Sequence, residues 1–260
     1  MRFVQKSAFT IVELLIASVS SALLLIFMMF AVQKILDQKQ RENFKCDLLE
    51  ECYQILNLLA CDWEQKTISV GNFLLRESSY PVIYTRSKPQ LMFFRDTPKG
   101  PQLVCYAVGT LPKNQNIGLA GEVFFQAVKS VEESKEIFKA TAESSEVEEE
   151  NYFSDDEIFT FSNLISENVV DLTVIPMEFD PDDQKWIPFT IKSFTVDRGG
   201  IWSEGQEISN TRNLGFAEVT VVALANAQQS EYKKCLNDES RRDFLHKNGV
   251  RLTRVIPWYL

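Results

Sequence analysis

His246 is the sole imidazole in the chain, so any serine or cysteine triad would have to run through it. It lies in a polar stretch, and no GxSxG sequence accompanies it. The HExxH and GxxxxGK[ST] patterns that hold zinc and phosphates are also absent. No enzyme and no cofactor is expected. Asp180, Asp182 and Asp183 crowd the segment FDPDDQKW, and hard cations favour such oxygen-rich clusters. The glycine and closing glutamate of a calcium loop are missing at their required spacing, so the segment reads as a solvated hairpin turn, with calcium as the alternative.

The five cysteines, Cys46, Cys52, Cys61, Cys105 and Cys235, form no CxxC pair, and an odd number cannot all pair within one monomer. Cys46 and Cys52 on one helix would be about 600° apart, roughly 240° net, and cannot join. Cys61 with Cys105 is one possible bridge and buried free thiols are the other reading; the connectivity stays open. Net charge is −9, which gives no support to a phosphate-binding stripe, so nucleic acid is not an expected partner.

The most unusual single residue is Glu13, a carboxylate inside the 22-residue apolar run Ile11–Val32, IVELLIASVSSALLLIFMMFAV. An unpaired acid near the centre of such a helix costs about 2.5–3.5 kcal/mol on insertion scales, and less near its end, so Glu13 calls for a partner. As a helix the run reaches about 33 Å, enough to cross a hydrocarbon core. Arg2 and Lys6 precede it, which keeps that end cytoplasmic and sends the acidic remainder across the membrane. A conventional signal peptide has its small-residue cleavage site after the apolar run; here Ala8 comes before it, so cleavage there would leave the hydrophobic helix attached.

The stretch Lys6-Ser7-Ala8-Phe9-Thr10-Ile11-Val12-Glu13-Leu14-Leu15-Ile16-Ala17 resembles the type III signal of type IV prepilins and pseudopilins. The resemblance implies that a prepilin peptidase cuts between Ala8 and Phe9 and methylates the new amine of Phe9. It also implies that Glu13, then the fifth residue, neutralises the terminal amine of a neighbouring subunit during assembly. The family usually has Gly before the cut, where this chain has Ala8. Expected partners are other pilin or pseudopilin subunits, the peptidase, the inner-membrane assembly platform and the membrane itself.

These residues must be positioned by a long helix. Beyond the apolar run, Leu48, Cys52, Ile55, Leu59 and Trp63 recur at one-face spacing, while Asp47, Glu50, Glu51, Gln54 and Glu64 take much of the remainder. A helix apolar all round and then one-sided suits a membrane stem whose lower half packs on a head. From about Tyr80 the texture changes to short aromatic and β-branched runs: Tyr80–Thr85, Leu91–Arg95, Gln102–Val108, Val123–Val128, Ile158–Phe161, Val169–Phe179, Trp186–Phe194 and Phe216–Ala225. The acidic stretch Glu132–Glu157 reads as a solvated loop or frayed helix, Gln228–Lys247 as helix stopped near Gly249, and Val250–Ile256 as a last strand.

The expected fold is α+β and pilin-like, a long amino-terminal helix packed on a mainly antiparallel sheet head. Its parts are a leader at 1–8, a transmembrane and filament-core helix at 9–33, an amphipathic stem at 34–66 and a periplasmic head at 67–260. Leu56–Gln65 (LNLLACDWEQ), and the order of Val169–Thr173, Trp186 and Phe216–Ala225, resemble the larger minor pseudopilin of type II secretion, pseudopilin J. That likeness implies a minor subunit that initiates or caps a pseudopilus or type IV pilus; a related minor pseudopilin family binds calcium. The competing expectation is an anchored periplasmic binding or adhesion module that never polymerises.

Overall fold

No glycine or proline interrupts the chain between Ile11 and Glu64, so nothing in that span breaks an i to i−4 ladder. A computed structural model describes residues 10–65, 82–85, 89–112, 121–143, 152–188, 193–197, 200–203, 206–210, 214–235 and 237–257. In it Ile11–Glu64 is one helix of 54 residues, α1. The chain divides into two compact units at Asp47 and Leu48.

In the first unit every described side chain is exposed, including Leu14, Leu23, Leu25, Phe27, Met29 and Phe30. Within it the run Ile11–Val32 is long and apolar enough to cross a membrane, and none of it is buried. An apolar surface all round a helix is stable only inside lipid or against other apolar helices.

The second unit begins with the one-sided half of α1. The strands are β1 Val82–Thr85, β2 Gln90–Thr97, β3 Gly100–Gly109, β4 Val123–Val128, β5 Leu164–Ser166 and β6 Val169–Asp180, then β7 Lys185–Pro188, β8 Ser193–Asp197, β9 Gly200–Ser203, β10 Gln206–Asn210, β11 Leu214–Ala223 and β12 Val250–Pro257. Helices α2 Val131–Glu143, α3 Asp155–Ile158, α4 Asn226–Tyr232 and α5 Asp238–Asn248 complete the described elements, with a 3-10 turn at Phe161–Asn163. One sheet has the order β10-β9-β8-β1-β2-β3-β4-β5 and the other β12-β11-β6-β7; every pairing is antiparallel.

All five predicted face residues of α1, Leu48 to Trp63, are buried, joined by Leu56, Ala60 and Asp62. They share a core with Leu91, Phe93, Val104 and Tyr106 from the first sheet and Leu172, Val174, Val219 and Val221 from the second. The opposite pleat of β2 to β4, with Phe94, Cys105 and Phe125, packs on Tyr152, Phe153, Ile158 and Phe159 in a second core. With both faces covered, these strands read as unbroken apolar runs such as LMFF and LVCYAV, where a half-exposed sheet would alternate. Each fully buried Leu, Ile or Phe contributes about 1.5–3 kcal/mol from apolar burial.

Three expectations are corrected here. The acidic Glu132–Glu157 stretch is not purely a solvated excursion: Ser134 is buried in α2, its Oγ donating to Ser130 O at 2.6 Å and accepting from Leu103 N at 3.0 Å, and Tyr152 and Phe153 line a core. These two aromatic side chains among many acids hold the end of the stretch on that core. Ile158–Phe161 ends a helix instead of forming a strand, because Ser154 and Glu157 build a reciprocal cap just before it. The run Gln228–Lys247 splits into α4 and α5, since Asn237 caps a new helix by accepting from Ser240 N at 2.8 Å.

Candidate functional site

Thr10 stands immediately before α1, and Thr10-Ile11-Val12-Glu13 forms a capping box. Thr10 N and Oγ1 each donate to Glu13 Oε2 at 2.9 Å, and Glu13 N donates back to Thr10 Oγ1 at 3.3 Å. The reciprocal bonds satisfy helix-end donors that would otherwise lack partners, and an acid there also suits the helix dipole. Both donations, one from the backbone and one from the hydroxyl, fall on one oxygen; among the described residues Oε1 accepts nothing, so it stays open to a further donor. The threonine was missed as a site residue, although the T-x-x-E spacing before an apolar run is readable in the sequence. Ala8 and Phe9, the expected cleavage and methylation residues, lie outside the described residues.

In the head the conspicuous cluster surrounds Asp62, on the buried face of α1 at 4% exposure. Cross-strand register sets its partners: Arg95 faces Gln102 across β2 and β3, and Tyr106 faces Gln126 across β3 and β4. Asp62 Oδ1 accepts from Arg95 Nη1 at 2.5 Å, and Oδ2 accepts from Tyr106 Oη at 2.7 Å and Gln126 Nε2 at 2.9 Å. Gln102 Oε1 in turn accepts from Arg95 Nε and Nη2 at 3.1 and 2.8 Å, while its Nε2 donates to Lys129 O at 3.1 Å. Burial, and then the neighbouring Asp62 charge, push the Tyr106 hydroxyl upward from its usual pKa, so it remains a donor. Next to this cluster Trp63 Nε1 donates to Pro257 O at 3.0 Å, and Asp96 N donates to Gln65 O at 2.9 Å. With its five side chains bonded, the network fixes the rotation and height of this part of α1 on the sheet.

The remaining candidates are spread apart. Asp180 Oδ1 accepts from Asp182 N at 2.9 Å and Asp183 N at 3.4 Å, and Asp183 pairs with Lys185, so the three aspartates serve the β6–β7 turn, closed by Gln184 at φ 51°. Among the described residues no group of three His, Cys, Asp or Glu side chains is placed to hold a metal ion. His246 is exposed in the last turn of α5. All five cysteines are free: Cys61 is exposed on α1, while Cys105 is buried in the core on the sheet face turned away from that helix. Burial pushes the Cys52 thiol up to about 12, which suits an unreactive packing role.

Glu122 carries a usable pH signal. It sits 3.4 Å from Arg241 Nη1; burial raises its carboxyl above 4.5, with Arg241 opposing and Asp171 adding repulsion. The folded chain therefore holds this proton more readily than the unfolded one. Its stabilising contribution is complete below about pH 4.5 and is lost as pH rises through the folded value. Glu122→Gln cannot ionise, so the urea midpoint of the variant relative to the parent is expected to be more favourable at about pH 7.5 than at about pH 4, followed by tryptophan fluorescence.

Comparison with protein-family models, with curated proteins and with solved structures found no match. What the structure itself defines is an α+β chain with one amino-terminal helix long and apolar enough to cross a membrane, followed by antiparallel sheets.

Proposed function

We propose that this chain is a minor pilin or pseudopilin, a structural subunit that initiates or caps a type II secretion pseudopilus or a type IV pilus. The observation that carries the reading is the segment from Ala8 to Glu13. A small residue precedes Phe9, and a carboxylate with one oxygen unclaimed among the described residues stands at the head of a helix that begins with the apolar run Ile11–Val32. In this reading the helix anchors the precursor in the inner membrane with its head in the periplasm. The peptidase removes residues 1–8 and methylates Phe9, and Glu13 Oε1 takes the amine of an adjacent subunit. Apolar packing among the exposed first halves of neighbouring helices then supplies most of the cohesion as the helix leaves the membrane. The size of the head favours a subunit present in few copies. The identity of the first mature residue tests the reading: Phe9 supports it and Met1 contradicts it.

A further inference from the structure

The two sheets end in four edge strands, and three of them are blunted in ways that discourage further pairing. β5 has three residues and a register shift against β4; β7 has four, beginning with Lys185 and ending with Pro188; β10 has five and a bulge against β9. β12 differs. It runs eight residues in unbroken register with β11, contains no lysine, and meets proline only at its last position. Among the described residues no strand pairs with its outer edge. Alternate residues of such a strand turn both N–H and C=O outward, leaving a row of backbone groups for an incoming strand.

The side chains select what could add there. Arg251, Thr253 and Val255 stand exposed on one face, Val255 at 54%, and Thr253 Oγ1 is tied to Thr220 Oγ1 at 2.8 Å. Arg251 also lines a cleft of about 390 Å³ with Arg242, His246, Asp171 and Asp243, between α5 and the outer face of the second sheet; the cleft holds both signs of charge, whereas Arg251 stands exposed at the edge strand itself. Among the described residues neither Arg242 nor Arg251 has an ion-pair partner. Asp238–Pro257 carries Arg241, Arg242, Lys247, Arg251 and Arg254 against Asp238, Glu239 and Asp243, a basic end on a chain whose net charge is −9.

We propose that β12 is a strand-addition site for an extended acidic segment of another protein, with its acid opposite Arg251 and an apolar residue opposite Val255. Backbone bonds along the edge supply affinity, and exposed Arg251 selects charge. The inference does not depend on filament assembly. It is tested on the full-length chain in detergent, with two synthetic peptides of alternating Val and Thr that differ only in carrying Glu or Lys opposite Arg251. The Glu peptide is expected to bind at least about tenfold tighter than the Lys peptide and to slow amide hydrogen exchange in Val250–Ile256. Arg251→Glu should reverse the preference, Arg251→Lys should keep it, and Val255→Lys should weaken the Glu peptide. Equal binding of both peptides, or protection elsewhere in the chain, would overturn the proposal. So would concentration-dependent protection of β12 without peptide, which assigns the edge to a second copy.

Discussion

On the proposed filament role, Glu13→Val is expected to leave the amount of membrane-inserted chain unchanged and to reduce filament assembly by more than about a hundredfold, the factor for losing roughly 3 kcal/mol of a desolvated charge pair. Valine removes the cost of an acid in an apolar helix, so a role confined to insertion predicts normal or better behaviour. The capping box must be separated from the assembly role. Thr10→Val deletes only the Oγ1 bonds and leaves Thr10's backbone position to donate to Glu13 Oε2, so it should weaken the helix start by about 1 kcal/mol and spare assembly largely. Glu13→Gln preserves hydrogen bonding without charge and should resemble Glu13→Val. Filament yield is read by shearing and quantitative immunoblotting; full yield from Glu13→Val would remove the assembly role.

The second large effect concerns the head. Asp62→Ala leaves the Arg95 guanidinium, the Tyr106 hydroxyl and the Gln126 amide without their shared acceptor, and Arg95→Ala strands a carboxylate at 4% exposure. Each is expected to cost about 3 kcal/mol, the lower end for breaking a buried pair because the Arg95 side chain retains 21% exposure. For a unit of this size that corresponds to a fall of roughly 6–12 °C in Tm. The double variant should cost less than the sum by about 1–3 kcal/mol. Additivity within about 0.5 kcal/mol would show that the two side chains act independently.

Periodicity made the stem legible because burial follows helical spacing: Leu48, Cys52, Ile55, Leu59 and Trp63 were readable from their intervals alone, and all five are buried. Strands β2, β3 and β4 were legible as apolar aromatic runs for a related reason, their two covered faces. Asp62 was not. A carboxylate among leucines looks like the polar edge of an amphipathic helix until the register of β2, β3 and β4 brings Arg95, Tyr106 and Gln126 to it, and register is long-range information. The acidic stretch misled for the converse reason, since composition averages over Tyr152 and Phe153, which decide the packing of its end. β9 and β10 went unnoticed because GIWS and QEISN are short and carry weak alternation. At the amino terminus the order of residues was plain, whereas the Thr10 bonds to Glu13 depend on a helix starting at that threonine.

The most direct measurement is mass spectrometry of the chain purified from its native source. On the proposed function the mature protein lacks residues 1–8, begins with N-methylated Phe9 and retains Ile11–Val32. A chain that keeps Met1, or one cleaved beyond Val32, would contradict it.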